Sequence, residues 1–143
     1  MAASVIVDTG PIVALIDADD HYHSWAKAQF ARLRPPLLTC EAVLTEACFL
    51  LSRAGVDPNA VTQLVERGML HVVALFDDEA QSITSLIRRY ANVPMSLADA
   101  CLVRLVELTP HSTVFTADSD FHIYRQKGRR LIPILAPPDV LRK

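Results

Sequence analysis

Nowhere does this chain contain the roughly 20 consecutive apolar residues that a helix needs to cross a bilayer, although hydrophobic residues make up 51% of its 143. It also lacks the basic-then-apolar opening of a secretory signal; its first residues read MAASVIVDTG. The expectation is a soluble, cytoplasmic protein with no membrane partner. Cysteines are few, and Cys40, Cys48 and Cys101 show no CxxC spacing. A disulfide framework is therefore not indicated, and small core packing is their expected use. No internal repeat, low-complexity tract or linker breaks the chain. The apolar content excludes a disordered tail, and the length suits one domain over 1–143 with its own core.

Net charge is only −2, yet it is unevenly spread. Residues 1–87 hold 5 basic and 11 acidic side chains, whereas residues 88–143 hold 9 basic and 5 acidic. Four of those bases fall in RQKGRR, namely Arg125, Lys127, Arg129 and Arg130. Such a run is either a solvated loop or an anchor for phosphates or an acidic partner.

Short apolar runs alternate with helical patterns. Strands are expected at Val5–Val7, Leu37–Thr39, His71–Leu75, Thr113–Thr116 and Leu131–Leu135. Between them the spacing predicts helices over 11–16, 21–33, 41–53, 57–68, 77–90 and 96–107. Pro35-Pro36 stops the second helix, and Gly55 closes the third. Alternation of this kind predicts a mostly parallel five-stranded sheet with helices on both faces. In such sheets ligands gather beyond the carboxyl ends of the strands. Asp8 follows the first strand in VDTG, and Asp118 follows the fourth in TADSDF.

Two further acids fall on apolar helix faces by spacing: Glu46 in CEAVLTEACFLLSR and Asp99 in SLADACLVRLV. A carboxylate facing a core is costly unless it is paired or bound to metal, and Arg53 and Arg104 point to other faces of their helices. Two carboxylates about 5 Å apart at an effective dielectric near 20 repel by roughly 3 kcal/mol. Bringing Asp8, Glu46, Asp99 and Asp118 together therefore calls for a cation. All-oxygen donors suit Mg²⁺ or Mn²⁺ rather than zinc. Simpler uses compete: Asp8 or Asp99 as a helix cap, Glu46 at a solvent edge, Asp118 as a turn former with Asp120 the functional acid. His21, Tyr22, His23 and Trp25 form a polar–aromatic patch suited to packing, to an interface or to base stacking. His122 is placed either at the site rim or on the surface.

In order and spacing, VIVDTGPIVALID, EAVLTEACFLL, MSLADACLVRL and VFTADSDF resemble the PIN-domain ribonucleases, most closely the toxins of VapBC-type toxin–antitoxin pairs. The resemblance implies a three-layer α/β/α sandwich and metal-dependent hydrolysis of RNA. It makes Asp8, Glu46, Asp99 and Asp118 the catalytic and metal-binding quartet, with Thr9, Thr116 and Asp120 in support and Mg²⁺ or Mn²⁺ as cofactor. Within the quartet, Asp8 and Asp99 are expected to hold the principal ion, with Asp118 acting mainly through water. Ser96 lies near the third acid without an assigned role. The resemblance also implies a homodimer, an RNA substrate and a cognate antitoxin; Arg125, Lys127, Arg129 and Arg130 are the candidates for holding RNA phosphates beside the metal. Two rivals differ in class. A phospho-accepting receiver domain fits poorly, because no lysine follows the fifth strand in IPILAPP. A PIN-like binding module without catalysis is the other, and the presence of all four acids argues against it.

Overall fold

Val5, Ile6 and Val7 are β-branched, flanked by polar residues and too short to make a helix, and they form the central strand of the sheet. The computed structural model describes residues 3–143. Along the chain come β1 (Ser4–Val7), α1 (Thr9–Ile16), α2 (His23–Arg32), β2 (Leu37–Thr39), α3 (Glu41–Arg53), α4 (Asn59–Glu66), β3 (Leu70–Val72), α5 (Phe76–Arg89) and α6 (Leu97–Leu108). They are followed by β4 (Ser112–Phe115), a 3-10 turn (Ser119–His122), β5 (Arg125–Gln126), β6 (Arg130–Leu131), β7 (Ile134–Leu135) and α7 (Pro138–Leu141).

Five strands pair in the order β3-β2-β1-β4-β7, every pair parallel. The path steps from β1 outward to β3, then crosses back to β4 on the other side of β1. Because parallel crossovers are right-handed, this reversal puts α1–α4 on one face of the sheet and α5 and α6 on the other. The expected α/β sandwich is the fold observed. Ile6, Val7, Val114 and Phe115 are buried completely, as central strands covered on both faces must be.

Three details differ from the sequence reading. The strand expected over His71–Leu75 spans Leu70–Val72 and ends three residues early. The run expected as one strand over Leu131–Leu135 divides around Pro133. Ile134–Leu135 joins β4, while Arg130–Leu131 folds back on Arg125–Gln126 as a separate antiparallel hairpin. Proline has no N–H to give a ladder, and Pro133 contributes only its carbonyl, to Val114 N at 2.9 Å. The 3-10 turn and α7 are too short to leave a periodic signal in the sequence.

Helix ends follow ordinary chemistry. Ser96 caps α6 by accepting from Asp99 N at 3.0 Å. α3 closes with Gly55 at φ +76° and a bond from Val56 N to Leu51 O. No helix among the described residues is long and apolar enough to cross a membrane.

Candidate active site and metal centre

The sheet order makes the β1–β4 boundary the point where the chain changes direction, so their carboxyl ends open the crevice that such folds use for ligands. Val7 pairs with Phe115, and Asp8 N donates to Phe115 O at 2.9 Å. Asp8 therefore leaves β1 level with Thr116 and Ala117 of the neighbouring loop. The approach is close because Gly10 has no side chain; a Cβ there would stand 3.2 Å from the Ala117 Cβ. α6 brings in Asp99 from its first turn. One oxygen from each of Asp8, Asp99 and Asp118 lies within 4.8 Å of the others.

Each acid is held by a different bond. Thr9 N donates to Asp8 Oδ1 at 2.7 Å, and the Thr116 hydroxyl donates to Asp8 Oδ2 at 2.8 Å. Thr116 Oγ1 also accepts from Asp118 N at 2.9 Å, so one threonine ties the first and last acids together. The Tyr124 hydroxyl donates to Asp99 Oδ2 at 2.8 Å. Asp118 Oδ1 accepts from Asp120 N at 2.9 Å, which spends Asp120's amide on the turn; its carboxyl is half-buried and outside the cleft lining.

Burial is the main electrostatic fact. Asp8 and Asp99 are only 5% and 8% exposed. Desolvation, then the Asp99 charge, pushes Asp8 from 3.8 up to about 7. Desolvation raises Asp99 to about 6, against the lowering effect of its bond from Tyr124. Neither has a basic side chain as ion-pair partner; among the described residues the ion pairs are those of Arg104 with Glu79 and Glu107.

These donors suit a hard divalent cation. Two oxygens on opposite sides of Mg²⁺ stand roughly 4.2 Å apart, at about 2.1 Å each, so oxygens already within 4.8 Å of one another need only a small inward movement. Among the described residues, nothing donates a hydrogen bond to Asp99 Oδ1 or Asp118 Oδ2, which leaves both free to coordinate.

Glu46 corrects the helical-face reading. The buried stripe of α3 is Val43, Ala47 and Leu51, and Glu46 lies beside that stripe and is solvent-exposed. Its carboxylate stands at the mouth of the site, where Oε2 accepts from Thr9 Oγ1 at 3.1 Å. The structure thus gathers Asp8, Asp99 and Asp118 tightly and leaves Glu46 one hydrogen bond away.

The cleft over these acids has a volume of about 350 Å³. Tyr22, Leu50, Ser119, Val140 and Lys143 complete its walls. None of Arg125, Lys127, Arg129 and Arg130 is among its lining residues; Lys143 is the basic side chain there. Arg125 is already committed, since its Nη1 donates to the carbonyls of His122, Ile123 and Tyr124.

From the aromatic patch, Tyr22 reaches the cleft, its hydroxyl donating to Asp139 at 2.6 Å. Trp25 packs edge-on against Phe115, and His23 Nδ1 lies 2.7 Å from Ala14 O. His122 likewise turns to a carbonyl, that of Val140 at 3.0 Å, rather than to the cleft. Besides Lys143, Tyr124 is a site residue that the sequence reading missed. It follows an irregular turn, and no spacing rule connects it to Asp99.

Comparison with known proteins adds two findings. The sequence pattern of the PIN domain family matches residues 5–127. Among solved structures, the crystal structure of Mycobacterium tuberculosis VapC20, a sarcin-ricin loop cleaving toxin, is similar with a TM-score of 0.71. The identity is 23%, and the match covers 82% of this chain and 92% of that one. No curated protein matches.

Proposed function

This chain belongs to the PIN domain family, and from that membership together with its acidic crevice we propose that it is a divalent-metal-dependent endoribonuclease, the toxin of a toxin–antitoxin pair. The observation that carries the reading is the convergence of Asp8, Asp99 and Asp118 without a basic partner. The similar fold of a toxin that cleaves the sarcin-ricin loop supports RNA as the substrate class. Asp8, Asp99 and Asp118 are the ligands of Mg²⁺ or Mn²⁺, with Glu46 entering at the rim. Once bound, such an ion polarises a phosphoryl oxygen and lowers the pKa of water towards neutrality.

The chain's own residues do the rest. Thr116 and Thr9 hold the Asp8 carboxylate by its two oxygens and fix its orientation. Tyr124 fixes one oxygen of Asp99 and leaves the other for coordination. Glu46, exposed and next to the triad, is the group placed to take a proton from the attacking water. Lys143 on the cleft wall holds a substrate phosphate. A cognate antitoxin and a second copy of the chain are the protein partners. Exposed Phe49 and Leu97, on a face that also includes Glu46, offer an apolar surface beside the mouth of the site.

The test is RNA cleavage by purified protein with Mg²⁺, Mn²⁺ or chelator. Cleavage that needs the ion and disappears in Asp8→Asn supports the reading. Undiminished cleavage in chelator, or in Asp8→Asn, rejects it.

A further inference from the structure

A second polar groove lies apart from the carboxylates. Ser82, Ser85 and Arg89 of α5, Arg104 and Glu107 of α6, and Lys127 of the β5–β6 turn line it, and it shares no residue with the acidic cleft. Its carboxylates are already engaged. Glu107 meets Arg104 Nη1 at 3.1 Å and accepts from Lys127 N, and Glu79 meets Arg104 Nε at 3.1 Å. The remaining cations are free. Arg89, Lys127, Arg129 and Arg130 are exposed and form no ion pair among the described residues. The lining cations Arg89, Arg104 and Lys127 face Glu107 and the bridged Glu79. Arg129 and Arg130, next along the hairpin and outside the lining, bring groove and hairpin together to +3.

The hairpin is built to present this charge. Lys127 and Gly128 both take positive φ, 50° and 79°, which turns the chain back over α5. A Cβ on Gly128 would stand 3.6 Å from Arg89 Nη1, so the guanidinium lies against the turn. Like charges held together without carboxylate partners repel one another, and a polyanion relieves that repulsion. Arginine forks match phosphate oxygens.

Position ties the groove to the acids. Glu107 lies eight residues beyond Asp99 on α6, about 12 Å at 1.5 Å per residue. The hairpin starts one residue after Tyr124, whose hydroxyl holds Asp99. At a rise of roughly 3.4 Å per nucleotide along a stacked strand, 12 Å spans about three to four nucleotides. We propose that this groove is a second phosphate site, which holds the RNA strand three to four nucleotides from the cleaved bond and thereby sets a minimum substrate length. The identity of the ligand rests on the ribonuclease reading above; the presence of a phosphate site does not.

Anisotropy with a labelled single-stranded RNA of about 12 nucleotides, in chelator and across a salt series, reads the contact directly. The combined variant Arg89→Gln, Lys127→Gln, Arg129→Gln, Arg130→Gln alters exposed side chains only. Each lost phosphate contact removes about 0.7 from the slope of log K against log salt, so the slope falls by about 2 to 3, with at least a tenfold loss of affinity at low salt. Arg32, Arg34 and Arg67, exposed at the opposite ends of β2 and β3, provide the control substitutions and leave the slope unchanged. In Mn²⁺, kcat/KM on the 12-mer falls tenfold or more in the variant, while a tetranucleotide is cleaved at the same rate by both proteins. An unchanged slope and affinity, an equal loss in the control, or polyglutamate bound as tightly as RNA would overturn the assignment. Intact cleavage with unchanged length dependence sinks the groove and leaves the nuclease standing. Binding with the stated salt slope but no cleavage in Mg²⁺ or Mn²⁺ sinks the nuclease and leaves the groove.

Discussion

Removing metal and raising pH together should destabilise this protein, and the effect can be sized. Asp8 titrates near 3.8 in an unfolded chain and at about 7 in the folded one, because burial and the Asp99 charge disfavour its ionised form. A folded-state pKa above the unfolded value means that the native state binds the proton more tightly. Below about pH 4 both states are protonated and the group contributes no penalty. Between about pH 4 and 7 the unfolded chain ionises first, so stability falls as pH rises; above 7 the loss is complete. At about 1.4 kcal/mol for each tenfold in proton affinity, a rise from 3.8 to about 7 amounts to about 4 kcal/mol. Asp99, raised to about 6, has the same sign. Part of the rise at Asp8 comes from the Asp99 charge, so the two contributions overlap, and about 4 kcal/mol is assigned to the pair. Of this, about 2.7 kcal/mol is lost between pH 5 and pH 7, at about 1.4 kcal/mol per pH unit. At roughly 3 °C for each kcal/mol in a chain of this size, the melting temperature is about 8 °C higher at pH 5 than at pH 8.

The assay is thermal melting followed by circular dichroism in chelator from pH 5 to 8, on the wild type and Asp8→Asn. Asparagine cannot titrate, so the difference between the two curves isolates the site from histidines and surface acids. The variant should be the more stable protein at pH 8 and should lose most of the slope. Mn²⁺ at 100 times its Kd should restore about 2.7 kcal/mol to the wild type at pH 8, and nothing comparable to Asp8→Asn. A wild type that melts at the same temperature at both pH values, or a variant that keeps the full slope, would refute the account of a buried, cation-seeking cluster.

Three further perturbations separate neighbouring effects. Tyr124→Phe removes the hydroxyl held at 2.8 Å from Asp99; Mn²⁺ affinity by calorimetry should fall about tenfold or more, as for other groups that orient metal ligands, with a smaller cost in stability. Gly10→Ala sets a helix-propensity gain of up to about 1 kcal/mol against a Cβ contact of 3.2 Å with Ala117. Melting should therefore move little while Mn²⁺ affinity drops, because the loop that carries Asp118 must shift. Ser96→Ala deletes the cap of α6 and should cost about 1 kcal/mol in urea unfolding.

How much of this was legible in the sequence depends on the range of the interaction. β1 and β4 announced themselves because runs such as Val5-Ile6-Val7 have few alternatives, and alternation with helices left a parallel sheet as the consistent arrangement. Asp8 and Asp118 were legible as acids closing the first and fourth strands, and Asp99 as an acid misplaced on an apolar helix face, a contradiction visible in one dimension. Glu46 was half legible: a three-residue offset from Val43 cannot distinguish the buried face of α3 from the edge next to it. The hairpin was hidden because its cause is Pro133 meeting β4, a contact across the sheet. Tyr124 was hidden for the same reason. Its partner is 25 residues away, and the 3-10 turn between them erases any periodic relation.

The same contrast explains why the acids and the bases sit apart. Within the crevice a basic side chain close enough to neutralise Asp8 would occupy the position a divalent ion needs, so the fold leaves the carboxylates unpaired and accepts raised proton affinities. A polyanion then meets a negative crevice before the ion has compensated it, and attraction must come from charge outside that field. At an ionic strength near 0.1 M a charge is felt over roughly 10 Å. The groove beside Glu107, about 12 Å along α6 from Asp99, therefore presents cations that act on the substrate while interacting little with the carboxylates. Moving one of them inward should show the cost of the alternative. Ser119→Lys, on the cleft wall beside Asp118, should bring Asp8 back towards ordinary carboxylate behaviour, flatten the pH dependence of melting in chelator, and weaken Mn²⁺ binding by tenfold or more. Unchanged Mn²⁺ affinity in a folded Ser119→Lys protein would show that cation and lysine do not compete for the same oxygens.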